Sequence, residues 1–141
     1  MPHLVILYTG QLDAEVHMTT LCRQMADAML TVKDESGKQV FPTGGTRVLA
    51  YPAPHYAVAD GGAAGRDAGG TGDYAFVYLN VRMGRGRTEA TQQSAGQTLL
   101  EVAKAFFAPV MAQRHIGITL QIDVGPEVFD AKHSNLHPLF K

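Results

Sequence analysis

Apolar residues fall along this chain in two similar blocks, each an apolar run, then a stripe at helical spacing, then a second run. The first run, Leu4-Val5-Ile6-Leu7-Tyr8, is apolar at consecutive positions, the pattern of a strand covered on both faces. Gly10-Gln11-Leu12-Asp13 predicts a turn with Asp13 as a helix cap, and Met18, Leu21, Cys22, Met25 and Met29 then form one apolar helical stripe. A polar turn at Asp34-Glu35-Ser36-Gly37-Lys38 and a break at Pro42-Thr43-Gly44-Gly45 lead to a second strand. That strand is Thr46-Arg47-Val48-Leu49-Ala50-Tyr51, stopped by Pro52 and Pro54.

The block then repeats. Tyr74-Ala75-Phe76-Val77-Tyr78-Leu79-Asn80-Val81 is rich in β-branched and aromatic residues and predicts a third strand. Thr88 is placed to cap a helix with Ala95, Leu99, Val102, Ala103, Phe106 and Val110 on one face, kinked or ended by Pro109. Ile116-Gly117-Ile118-Thr119-Leu120-Gln121-Ile122 is the last strand. Between the blocks, residues 59–72 are glycine-rich and poor in bulky side chains, which predicts a flexible loop. They lack the Gly-Lys-Ser/Thr ending of a phosphate-binding loop.

Helical crossovers join parallel strands, so the pattern predicts an α+β two-layer fold: tandem βαβ units forming a four-stranded sheet with two helices on one face. The units are residues 2–56 and 73–124 of a single domain spanning 1–141. The sheet face without helices still carries apolar side chains and needs a cover, which predicts an oligomer.

Composition narrows the partners. A length of 141 residues and a hydrophobic fraction of 45% support one proper core. With 12 Lys and Arg against 13 Asp and Glu, no global field attracts nucleic acid or an anionic membrane, so any anion site is local. Cys22 is the only cysteine, which excludes an internal disulfide or a Cys-rich zinc site and fits a reducing compartment. Neither a secretory signal pattern nor a membrane-length apolar run is present, and the expected location is cytoplasmic.

The candidate chemistry begins at Met1-Pro2. Small second residues permit removal of the initiator Met, and a terminal Pro2 is a secondary amine with a directed lone pair. Terminal amines have pKa values of roughly 7.7–8.0, and an apolar pocket or nearby cations lower them further. That is a base poised for proton abstraction beside a carbonyl. Many chains begin Met-Pro without any such role. A second feature is Arg82-Met83-Gly84-Arg85-Gly86-Arg87-Thr88-Glu89, a strand-to-helix corner with three arginines. Guanidinium groups grip planar carboxylates with paired hydrogen bonds, and a helix N-terminus also favours anions. Solvated surface charge is the plainer reading of Arg82, Arg85 and Arg87, and an edge-strand charge is that of Arg47.

Together these motifs resemble the tautomerase superfamily, and within it the 5-carboxymethyl-2-hydroxymuconate isomerases of aromatic catabolism. The likeness is carried by Met1-Pro2-His3, Gly72-Asp73-Tyr74-Ala75-Phe76-Val77, Gly84-Arg85-Gly86-Arg87 and Asn135-Leu136-His137-Pro138-Leu139-Phe140-Lys141. It implies Pro2 as general base and Arg47 and Arg87, with Arg85 beside them, as binders of substrate carboxylates or a developing oxyanion. It also implies an unsaturated 2-hydroxy or 2-oxo di- or tricarboxylate substrate and a homotrimer with shared active sites. No metal or organic cofactor is implied. Three departures bear on pocket polarity: Leu7 stands where a polar or acidic residue is expected, Gly45 where a second basic residue often occurs, and the glycine-rich segment is long.

Other chemistries remain compatible with the same groups: hydration, decarboxylation or dehalogenation of an unsaturated acid, or a non-catalytic trimer that binds a small ligand. A metal site is disfavoured, since the six histidines show no paired i, i+4 spacing with an acidic neighbour, and His133 and His137 lie in a tail containing Pro138 that is not expected to be helical through both. Cys22 and the methionines Met18, Met25 and Met29 read as core. The tail from residue 127 onward carries Phe129, Leu136, Leu139 and Phe140, which need burial and are expected to pack on a neighbouring subunit.

Overall fold

The computed structural model describes residues 2–140. Met1 and Lys141 lie outside the described residues, and with Met1 the expected trimming. The elements are β1 (His3–Thr9), α1 (Met18–Thr31), β2 (Arg47–Ala53), α2 (Ala63–Asp67), β3 (Ala75–Met83), α3 (Glu89–Met111) and β4 (Ile116–Val124). Short 3-10 turns cover Gly10–Ala14, Thr43–Gly45 and His137–Phe140.

Each block is a βαβ unit with a parallel strand pair, β1 with β2 and β3 with β4. The sheet order is β2-β1-β3-β4, and the two units meet through an antiparallel β1–β3 pair. Strand alternation divides the sheet into two faces. On one, Leu4, Ile6, Val77, Leu79 and Val81 are fully buried against Leu21, Met25 and Met29 of α1 and Ala95, Leu99, Ala103 and Phe107 of α3. Burying each large aliphatic side chain contributes about 1.5–3 kcal/mol. The helices also pack on each other, so both lie on this face. The other face presents Leu7, Leu49, Tyr51 and Phe76 to the surface.

The structure departs from the sequence expectation in four places. Helix α1 starts at Met18, because Asp13 sits in the preceding 3-10 turn and accepts the Tyr8 hydroxyl at 2.6 Å. Burial, with that carboxylate as partner, pushes the Tyr8 pKa up. Strand β2 runs through Pro52 to Ala53, which an edge strand tolerates because alternate N–H groups there face away from the ladder. The glycine-rich segment is not an unstructured loop. Asp60 accepts from the Gly62 and Ala64 amides, both at 2.9 Å, to start α2, and the Gly65 amide donates to the Tyr74 hydroxyl at 2.8 Å. In α3, Pro109 sits in the last turn without ending the helix, and Phe107 rather than Phe106 is the fully buried ring. Thr88 caps α3 as expected, accepting from the Thr91 amide at 3.2 Å.

Candidate active site

Pro2 is buried immediately before β1 and lines a cavity of about 150 Å³ with Phe41, Gly45, Met83, Arg87, Lys132 and His137 among its walls. Arg87 arrives there from the β3–α3 corner. Gly86 makes that corner with φ +108°, a left-handed conformation glycine adopts without a side-chain penalty. The Arg87 Nη2 donates to the Val40 carbonyl at 2.6 Å, which fixes the guanidinium beside the cavity. Val40 is itself held by its amide N–H, which donates a hydrogen bond to the Val32 carbonyl at 2.9 Å, next to the Lys33–Gln39 bridge. On the same corner the Thr88 hydroxyl donates to Glu35, and this hydrogen bond holds the Glu35 carboxyl below its ordinary range.

The C-terminal segment closes the cavity. The 3-10 turn His137–Phe140 packs on Thr43–Gly45, and a Cβ on buried Gly44 would stand 2.7 Å from His137 Nδ1. Lys132, from the same segment, pairs with Asp130 at 2.7 Å. The tail therefore returns to its own chain here, while Phe129, Leu136 and Leu139 stay exposed.

Arg47 and Arg85 do not line this cavity. Half-buried Arg47 borders a separate one beside α1, with Cys22, Thr46 and Phe140. In the strand register Arg47 lies beside His3, His3 beside Arg82 and Arg82 beside Asp123, a polar row across the helix-free face at the Pro2 end. Exposed Arg85 donates from Nε to the Gly125 carbonyl at 2.9 Å. One chain thus brings Pro2 and Arg87 together and leaves Arg47 and Arg85 outside. Lys132 and His137 are the wall residues that sequence patterning did not nominate; the adjacent glycines Gly44 and Gly45 were the available sign of a close approach.

A family model described as 5-carboxymethyl-2-hydroxymuconate isomerase matches residues 2–140. The chain belongs to the 5-carboxymethyl-2-hydroxymuconate isomerase family. It is an isomerase of the tautomerase superfamily. It is 26% identical, over 100% of both chains, to a 5-carboxymethyl-2-hydroxymuconate Delta-isomerase of Escherichia coli. A crystal structure of a 5-carboxymethyl-2-hydroxymuconate delta-isomerase is 67% identical, with a TM-score of 0.97 over 100% of this chain and 93% of that one. The isomerase of Deinococcus radiodurans R1 is 28% identical, with a TM-score of 0.79 over 99% of this chain and 94% of that one. A fused 4-OT protein, 15% identical and solved as an asymmetric trimer, shares the fold at a TM-score of 0.56, covering 99% of both chains.

In this family member the Pro2 cavity is not the largest. One of about 560 Å³, walled by Tyr74, His115, Asp60 and Ile116, opens where β3 and β4 begin. Pro2 sits instead by Met83 at the far end of β3, about 26 Å away at 3.3 Å per residue. Chemistry favours the smaller cavity as the candidate site, since it brings Pro2 beside a guanidinium. Cys22 is half-buried and burial pushes its thiol pKa up, away from thiolate reactivity. Among the described residues no group of three or more His, Cys, Asp or Glu could hold a metal ion, and no helix is long and apolar enough to cross a membrane.

Proposed function

We propose that the chain isomerises 5-carboxymethyl-2-hydroxymuconate or a closely similar unsaturated 2-hydroxy or 2-oxo carboxylate, with Pro2 as the base. The supporting observation is the shared Pro2–Arg87 cavity in a chain of this isomerase family. With Met1 removed, the Pro2 nitrogen takes a proton from the dienol or from a carbon conjugated with a carbonyl. It returns the proton elsewhere on the same conjugated system. Bonds and charge balance within the substrate, so the cycle needs no cofactor. The intermediate is a dienolate, and Arg87 donates hydrogen bonds to its oxygen or to a neighbouring carboxylate. The same positive charge lowers the Pro2 pKa toward the working pH.

The site is completed in a homotrimer whose neighbouring subunit brings Arg47. A cavity of about 150 Å³ is smaller than the ~300–1,000 Å³ of ordinary ligand sites, which favours completion by a second chain. The exposed apolar residues of the helix-free face favour the same assembly. All 141 residues act as one domain, and the single cysteine favours a reducing, cytoplasmic setting.

Activity of protein with Met1 removed is compared with that of protein retaining Met1 and of Pro2→Ala. Retention makes the Pro2 nitrogen a tertiary amide without basicity, so kcat should fall by about 10²–10⁴, the worth of a general base. Undiminished turnover with Met1 attached would end the proposal.

A further inference from the structure

Among the polar side chains around the Pro2 cavity, His137 stands apart. Arg87 donates to Val40 and Lys132 pairs with Asp130, but His137 Nε2 is closed off from solvent and meets no hydrogen-bond partner among the described residues. Buried polar atoms of native proteins are nearly always satisfied, and an orphan carries a desolvation cost that calls for a cause. The ring is closely packed on one side. It lies against buried Gly44, where an added Cβ would meet His137 Nδ1 at 2.7 Å, the His137 Cα at 3.2 Å and Phe140 at 3.2 Å. None of the residues lining the cavity is acidic, so nothing in its wall offers a carboxylate to the imidazole.

We propose that His137 is a substrate-binding residue: as the cavity fills, a turn of the wall imidazole exposes its Nε2–H, closed off in the empty cavity, and the group donates to a substrate carboxylate. The neutral Nε2–H tautomer and the imidazolium both donate there. Screening from water strengthens the bond relative to one at an exposed histidine. The ligand class is a polycarboxylate, gripped by Arg87 on one side and by the C-terminal turn on the other. This inference rests on the Pro2 cavity being the active site.

The test combines His137→Ala, His137→Asn and His137→Gln, with steady-state kinetics and calorimetric titration of the saturated tricarboxylate propane-1,2,3-tricarboxylate. The Ala and Asn variants should raise KM about tenfold or more and weaken the probe by the same factor, equivalent to about 1.4 kcal/mol. Their kcat should fall by less than KM rises. The Gln variant, whose amide nitrogen stands near the Nε2 position, should recover most of the affinity. Unchanged KM and probe affinity in His137→Ala overturn the assignment. So does a Gln variant as weak as Ala, which would leave the ring a packing role only, or a loss confined to kcat, which would indicate proton transfer. Failure of the base reading is seen separately: Met1-retaining protein would then turn over normally, while the weaker probe binding of His137→Ala would stand.

Discussion

Gly44 shows how one residue controls the site. It is buried, and a methyl group there would overlap the imidazole of His137 and crowd its backbone. Gly44→Ala should therefore push the C-terminal turn off the Thr43–Gly45 turn. We expect KM to rise at least as much as in His137→Ala, with stability lowered by about 1–3 kcal/mol in denaturant titration, the usual cost of overpacking. Normal KM and normal stability would mean that the turn is not seated there. Arginines at the β3–α3 corner separate in the same way. Arg87→Ala should lower kcat/KM by about 10²–10³, as loss of a preorganised donor does. Arg85→Ala should have a far smaller effect, since its guanidinium is turned to the Gly125 carbonyl. Sequence could nominate all three corner arginines because spacing places them there, but only the path of the chain decides which one reaches Pro2. His137 was harder to find because the tail has no periodicity to tell where it folds back.

Helix α3 and the turn at residues 33–41 form the element that presents Arg87. Thr88 links them, capping α3 while donating to Glu35. Thr88→Ala should cost about 0.5–2 kcal/mol of stability, the value of an N-cap. Glu35 adds a pH dependence. Its folded pKa is lowered from the ordinary 4.5, first by the Thr88 hydroxyl, so its contribution is present above about pH 4.5 and is lost as pH falls through the lower folded value. Glu35→Gln should flatten the stability profile below pH 4.5 and leave its shape at neutral pH unaltered; an identical acid limb in both proteins would sink this. The helices and strands themselves were legible, because apolar periodicity is a local signal. Strand β2 continuing through Pro52 and helix α2 forming on Asp60 were not, since edge position and the Tyr74 hydroxyl are contacts that periodicity does not carry. The antiparallel β1–β3 junction was equally hidden: each βαβ unit fixes its own pair, and nothing local states how two units meet.

At the scale of the whole molecule, the proposed completion of the site by a neighbour depends on the helix-free sheet face. Leu7, Leu49 and Tyr51 are 45%, 46% and 51% exposed, neighbours across the β1–β2 pair, and Phe76 on β3 is 36% exposed. A contiguous exposed apolar patch of this kind marks a surface for another surface to cover. The polar row of Arg47, His3, Arg82 and Asp123 crosses the same face at its Pro2 end. A neighbour packed on the apolar part would therefore exchange this polar edge with it, carrying Arg47 toward a Pro2 cavity that its own chain does not supply. Subunit complementation tests this directly. Pro2→Ala and Arg47→Ala proteins, each of low activity, are unfolded together in equal amounts and refolded into mixed oligomers. If Arg47 serves the neighbour's Pro2, random assembly gives about one site in four with both native residues, and about a quarter of wild-type activity returns. If both residues served one chain, every site would lack one of them and mixing would restore nothing. That outcome would remove Arg47 from the neighbour's site while leaving the Pro2–Arg87 pair in place.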